Sequence, residues 1–305
     1  MHELDIALTR CNLCPRQCGV NRTIGELGYC NTNSNPLVAS ITIHHGEEPV
    51  LSGSKGICNV FFAHCNLRCS YCQNHQISCN TKLWDKWIDN YDIIIRKITD
   101  ILDQGIGMLG FVSPSHQVPQ MVKIIEMLNQ QGYKPRVVYN TNSYDTPATL
   151  RMISDYVDVY LPDLKYFDNH IAAKYSDAQN YYKFAREAIR EMIWQKGTTL
   201  TIDDAGLAEN GVIVRHLILP GHTKDSITLL QELSEISNNI TISLMSQYHP
   251  TSSSPNEIGR SISKKEYDTV VHAMDSLGFY KGWIQNLDSN GYYLPNFDEN
   301  KPFKE

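Results

Sequence analysis

The sequence has no cysteine beyond position 79, no run of lysine and arginine, no apolar stretch long enough to cross a bilayer, and no internal repeat. Each absence removes a class of protein. With a net charge of -6 over 305 residues and no basic run, the surface offers no general attraction to a phosphate backbone, so a nucleic-acid partner is not expected. The opening MHELDIALTRCNLC lacks the basic and apolar regions of a secretory leader, and no apolar segment reaches transmembrane length. A soluble, cytoplasmic protein with no membrane partner is therefore expected. The missing repeat and missing low-complexity linker argue against a solenoid or a string of modules.

What is present sits at one end. The nine cysteines lie at 11, 14, 18, 30, 58, 65, 69, 72 and 79. A disulfide-stapled secreted domain is usually small and spreads its cysteines along the chain. Closely spaced cysteines confined to one end of a long chain point instead to metal ligation.

Beyond residue 80 helical and strand-like patterns alternate, the mark of a parallel sheet with crossover helices. Apolar spacing predicts helices over 84–104, 118–131, 181–196 and 224–237. Ser263 and Glu266 form a capping box for a further helix ending near Gly278. Asp145 ahead of Pro147 reads as the N-cap of a shorter one. Strands are expected over 58–63, 109–113, 136–140, 157–161, 212–219 and 240–245, with 203–211 as a polar turn. Six strands separated by helices predict an α/β fold, a partial (β/α)6 TIM-like barrel. Residues 1–50 read as a small cysteine-rich lobe, 51–282 as the barrel, and 283–305 as a tail lying over it.

The segment FFAHCNLRCSYCQN places an apolar strand directly before Cys65, Cys69 and Cys72. Three closely spaced thiolates suit three irons of a cubane cluster and leave the fourth iron open, whereas a closed structural site takes four protein ligands. A zinc knuckle is the bland alternative. An open iron lets S-adenosylmethionine (SAM) chelate through its amino and carboxylate groups, and an electron from the cluster then yields a hydrogen-abstracting 5'-deoxyadenosyl radical.

The spacing of these cysteines, with Tyr71 as the aromatic before the last one, resembles the radical SAM superfamily. CNLCPRQCGVNR, LSGSKGICNVFFAHCNLRCSYCQN and LMSQYHP further resemble the pyruvate formate-lyase activating enzyme-like branch that has an extra N-terminal cysteine region. The resemblance implies a 4Fe-4S cluster on Cys65, Cys69 and Cys72, SAM as cofactor, and a flavodoxin or ferredoxin as electron donor. A glycyl-radical protein would then be the substrate. Radical modification of a small molecule or another peptide stays open, as does a non-catalytic iron-sulfur electron carrier or adaptor.

The resemblance also implies SAM contacts at strand ends, where barrels of this type bind ligands. Asn140, Thr141 and Asn142 match a family Asp-Thr-Asn segment, with Asn140 in place of the acid. LPDLK matches a Leu-Asp-Leu-Lys strand end and implicates Asp163 and Lys165, which otherwise read as a solvated charge pair. RHLILPG implicates Arg215, whose planar fork suits a carboxylate. QYHP implicates His249, otherwise an ordinary loop histidine. The family's Gly-Gly-Glu is replaced by a Ser113-Pro114-Ser115-His116 stretch, leaving Ser113 and Ser115 as candidates for the SAM amino group.

Cys11, Cys14, Cys18 and Cys30 supply four thiolates, enough to close a site around zinc or a second iron-sulfur cluster. Arg10, Arg16 and Arg22 beside them either balance a negative thiolate site or are exposed. Cys58, within an apolar strand, reads as a buried inert thiol. No role is assigned to Cys79.

Overall fold

The computed structural model describes residues 3–81, 86–287, 294–299 and 301–303. In chain order the elements are α1 (Glu3–Thr9), β1 (Val38–His44), α2 (Pro49–Ser52), β2 (Ile57–Phe62), α3 (His75–Ser78), α4 (Tyr91–Leu102), β3 (Met108–Val112), α5 (Val118–Gln130), β4 (Arg136–Thr141) and α6 (Pro147–Met152). There follow β5 (Val159–Pro162), α7 (Asn169–Ser176), α8 (Tyr181–Lys196), β6 (Thr201–Ile202), β7 (Ala208–Leu217), α9 (Thr223–Ile236), β8 (Thr241–Met245), α10 (Lys264–Ser276) and β9 (Gly282–Ile284).

The strands form one sheet in the order β1-β2-β3-β4-β5-β7-β8-β9, with β6 paired to β7. From β2 to β9 the pairs along this path are parallel, and β1 joins antiparallel to β2. Strand alternation sends side chains to two different cores. Val60, Leu109, Val137, Tyr160, Val214 and Ile242 point outward and pack with the apolar faces of the helices. Ile57, Met108, Val138, Val159, Leu161 and Ile213 point inward, and Leu51 of α2 packs among them as a plug at the strands' N-terminal ends. One cavity is lined by residues of β1 to β4 and β7 to β9 and by Asp163 just after β5, so the sheet curls around it as a partial TIM-like barrel.

The helix expected over 84–104 begins later than its periodicity suggests. Residues 82–85 lie outside the described set, Ile88 bridges to Val38, and Asn90 caps α4 by accepting from Ile93 N–H. The Asp145 cap is also corrected. Thr146 caps α6, because Asp145 is buried and accepts from Tyr139 and Thr141 instead. The stretch 203–211 is not simply a turn, since β7 starts at Ala208 and forms a hairpin with β6. Strand β5 begins at Val159 because Ser154–Tyr156 is a short 3-10 turn. The capping box at Ser263 and Glu266 is present, with both reciprocal hydrogen bonds.

Strands β1, β6 and β9 and helices α1, α2, α3 and α7 were not read from the sequence. β1 makes Val38–His44 part of the sheet, β9 adds a three-residue edge, and α7 precedes α8. In the tail, Phe297 and Phe303 pack on Phe61 with ring centroids at 5.3 Å and 5.6 Å, and Phe303 meets His44 at 4.1 Å. No described helix is long and apolar enough to cross a membrane.

Candidate active site

The cysteine loop leaves β2 at its C-terminal end and is fastened from several sides. Asn80, itself buried, accepts from Cys65 N–H and donates to the Cys65 carbonyl, both at 2.9 Å. Further along, Arg68 N–H and Ser70 N–H donate to the Ser176 and Tyr175 carbonyls at the end of α7. The loop is thus an extra edge laid against α7, which the sequence reading lacked.

Each of the three sulfurs has a donor aimed at it. Ser176 Oγ donates to Cys69 Sγ at 3.0 Å, Ser78 Oγ to Cys72 Sγ at 3.3 Å, and Asn142 Nδ2 and Leu67 N–H to Cys65 Sγ at 3.5 Å and 3.4 Å. Behind Ser176 the hydroxyls continue: Tyr166 OH lies 2.6 Å from Ser176 Oγ, and Tyr71 OH 2.5 Å from Tyr166 OH. Burial pushes the Cys65 thiol up to about 12 and the Cys69 thiol up to about 11, the latter pulled partly back by Lys165. Metal-free, these are protonated thiols; iron would replace the protons, and the surrounding donors suit the resulting thiolates. Among the described residues no three His, Cys, Asp or Glu converge on a single ion. A cubane does not require that, because each thiolate binds its own iron.

The three thiols open onto a cavity of about 320 Å³ running down the barrel. That is within the range of small-molecule sites. Its wall holds a charge network centred on Arg215. The Arg215 Nε donates to Asp163 at 2.9 Å, Nη1 to Glu47 at 3.2 Å and Nη2 to Asn140 Oδ1 at 2.6 Å. Lys165 Nζ donates to the other Asp163 oxygen at 2.7 Å. Burial pushes Asp163 up, yet Arg215 and Lys165 outweigh it and hold the carboxyl below the usual range. Burial lowers Lys165 as well, and Asp163 reverses that and raises it.

Glu47 and Glu48 reach the cavity from the loop before α2, and sequence reasoning missed both. Their only sequence signal is a pair of acids ahead of Pro49. Glu47 accepts from Asn59 Nδ2 at 2.9 Å, a side chain that crosses the barrel in the space left by Gly110. Glu48 is buried, and its Oε2 has no hydrogen-bond partner among the described residues. Burial raises its carboxyl despite the attraction of Arg215.

Of the candidates read from sequence, Ser113, Asn140, Asn142, Asp163, Lys165 and Arg215 line the cavity with the three cysteines. Ser115 and Thr141 do not. They are buried beneath it, Ser115 Oγ 3.1 Å from Thr141 Oγ1, with Thr141 donating to Asp145. His249 is exposed and outside the cavity lining, because the chain turns outward after Tyr248, whose hydroxyl is tied to the Ile258 carbonyl. In place of a ligand carboxylate, Arg215 meets two of the protein's own.

The N-terminal thiols gather separately. Cys11, Cys14 and Cys30 are buried and Cys18 half-buried, with Cys14 near enough to the other three for their charges to interact. Cys58 is fully buried on β2, pushed up to about 12 by burial alone. Cys79 lies beside Thr81, 3.1 Å between sulfur and hydroxyl.

The family model of the Radical SAM superfamily matches residues 59–233, which include the cysteine loop and strands β3 to β7. An uncharacterised protein of Methanocaldococcus jannaschii is 30% identical over 251 residues, covering 79% of this chain and 66% of that protein. Among solved structures, HydG, a maturase of the FeFe-hydrogenase, superposes with a TM-score of 0.52 at 14% identity, over 77% of this chain and 53% of HydG. HydG of Carboxydothermus hydrogenoformans gives 0.51 at 15% identity, over 74% and 52%. This chain therefore spans just under two thirds of the archaeal relative and about half of HydG, and the HydG likeness shows the fold alone. Matched over more than half its length, the chain belongs to the radical SAM superfamily.

Proposed function

We propose that the protein is an enzyme that holds a 4Fe-4S cluster on Cys65, Cys69 and Cys72 and binds SAM in the barrel cavity beside it. One observation carries this reading: three donor-supported thiols at the mouth of a cavity whose wall presents Asn140, Asp163, Lys165 and Arg215. When bound, the cluster and SAM supply one-electron cleavage of the sulfonium and a hydrogen-abstracting radical.

The chain's own residues prepare the site. Ser176, Ser78 and Asn142 hold the sulfurs in place. Asp163 keeps Lys165 and Arg215 charged in a half-buried wall, where a lone cation would be costly. Leu51 closes the barrel's far end against water.

The finer reading is activation of a glycyl-radical protein, with flavodoxin or ferredoxin as electron source. It is supported by the resemblance of CNLCPRQCGVNR, LSGSKGICNVFFAHCNLRCSYCQN and LMSQYHP to the activating enzyme-like branch. The reading also includes a second centre, iron-sulfur or zinc, on Cys11, Cys14, Cys18 and Cys30. Anaerobic reconstitution followed by electron paramagnetic resonance (EPR) of the reduced cluster tests the SAM site. Added SAM should change the cluster signal, and an unchanged signal would favour an electron carrier or adaptor.

A further inference from the structure

Arg22 is the cation whose position the catalytic site does not explain. It lies in a short 3-10 turn between Asn21 and Gly25 and is 1% exposed. Its guanidinium donates to the Asn33 carbonyl from Nε and Nη2 at 3.1 Å and 2.7 Å. Nη2 also reaches Thr32 Oγ1 at 2.9 Å, and Nη1 the His116 carbonyl at 2.7 Å. None of these partners is a carboxylate. A buried guanidinium does not shed its charge, so the surroundings must supply an anion. Its hydrogen bonds lead to one of the four N-terminal thiols: Thr32 Oγ1, which Arg22 Nη2 holds, lies 3.1 Å from Cys30 Sγ.

We propose that Arg22 is the internal counter-ion of a closed, negatively charged four-thiolate metal centre formed by Cys11, Cys14, Cys18 and Cys30. This rests on the second centre named above and adds its charge, its closure and its link to catalysis. Four thiolates around zinc, or around an oxidised cubane, carry net negative charge, and loading releases the thiol protons to solvent. Backbone N–H of Tyr29 already points at Cys18 Sγ at 3.3 Å, as thiolate sites require.

The centre also reaches the catalytic loop. Asn31, next to Cys30, donates from Nδ2 to the Asn80 carbonyl at 2.8 Å, and Asn80 Nδ2 donates to the Tyr29 carbonyl at 2.9 Å. The Asn80 side chain is the one that holds Cys65 at both its N–H and its carbonyl. Loading the lobe therefore stiffens the seat of the first catalytic cysteine.

The test uses the full chain with Cys65, Cys69 and Cys72 all changed to Ala, so that the catalytic cluster cannot contribute. After anaerobic reconstitution, iron, sulfide and zinc are measured. The expected result is retention of about one zinc, or of about four irons with sulfide, lost on adding Cys14→Ser. The two results distinguish the metals, and either supports the centre. Arg22→Met should speed metal loss to EDTA roughly tenfold, with Arg22→Lys restoring most of the retention, as the loss of a buried counter-charge implies. A metal-free triple variant would overturn the centre. Retention unchanged by Arg22→Met would overturn the counter-ion. Neither result bears on SAM binding by the chain with its catalytic cysteines intact, so failure of that reading is seen separately.

Discussion

Changing Ser176 to Ala should make the catalytic cluster harder to reduce. Ser176 Oγ donates to Cys69 Sγ at 3.0 Å, and its own orientation is set by Tyr166 OH at 2.6 Å, with Tyr71 OH behind. Ser176 and Tyr166 are fully buried, so water does not readily replace the lost donor. Reduction adds negative charge to cluster and thiolates, so a donor to sulfur favours the reduced form. A hydrogen bond to a charged group contributes about 1.5–3 kcal/mol, of which only the oxidised-to-reduced difference counts. Taking that difference as about 1 kcal/mol gives a fall of about 40 mV for a one-electron couple. Tyr166→Phe leaves Ser176 in place without its orienting partner, and a smaller fall is expected. EPR-monitored redox titration measures both. A midpoint potential that is unchanged or higher in Ser176→Ala would refute the reasoning.

Three further outcomes follow from the barrel interior. A Cβ on Gly110 would stand 2.1 Å from Asn59 Oδ1, so Gly110→Ala should push Asn59 off Glu47 and cost about 1–3 kcal/mol by urea unfolding, with Asn59→Ala restoring part. Because burial raises the Glu48 carboxyl, its ionisation opposes folding: the penalty is absent below the unfolded pKa, grows as pH rises above it, and levels off once pH has passed the folded pKa. Glu48→Gln should therefore raise the melting temperature at neutral pH, with the gain shrinking as pH falls toward about 4 and vanishing below it, as Glu48 becomes protonated in the unfolded state as well; an equal gain at neutral and acid pH would contradict this. Arg215→Met leaves half-buried Glu47 without its cation and Asp163 with Lys165 alone, and should cost about 1–3 kcal/mol in chemical denaturation.

The sequence was most legible where the chemistry is local. The Cys65–Cys72 spacing, the α8 boundaries at Tyr181 and Lys196, and the Ser263–Glu266 box are all set by residues within a turn or a loop of each other. Cavity walls formed by strand ends were partly legible, since the family resemblance pointed to Asn140, Asp163 and Arg215, and these three do line the cavity. What was not legible depends on distant pairing. Glu47 and Glu48 enter the cavity only because β1 runs antiparallel to β2 and the loop between them crosses the barrel's end. The same holds for Arg22, whose burial depends on the His116 carbonyl 94 positions away. His249 shows the opposite failure, a motif residue that its local turn directs to solvent.

The most direct test of the account is SAM cleavage itself. The anaerobically reconstituted, reduced protein should form 5'-deoxyadenosine and methionine from SAM, and a Cys69→Ala variant should form neither above background. Equal product from both proteins, or none from wild type carrying its cluster, would contradict the account.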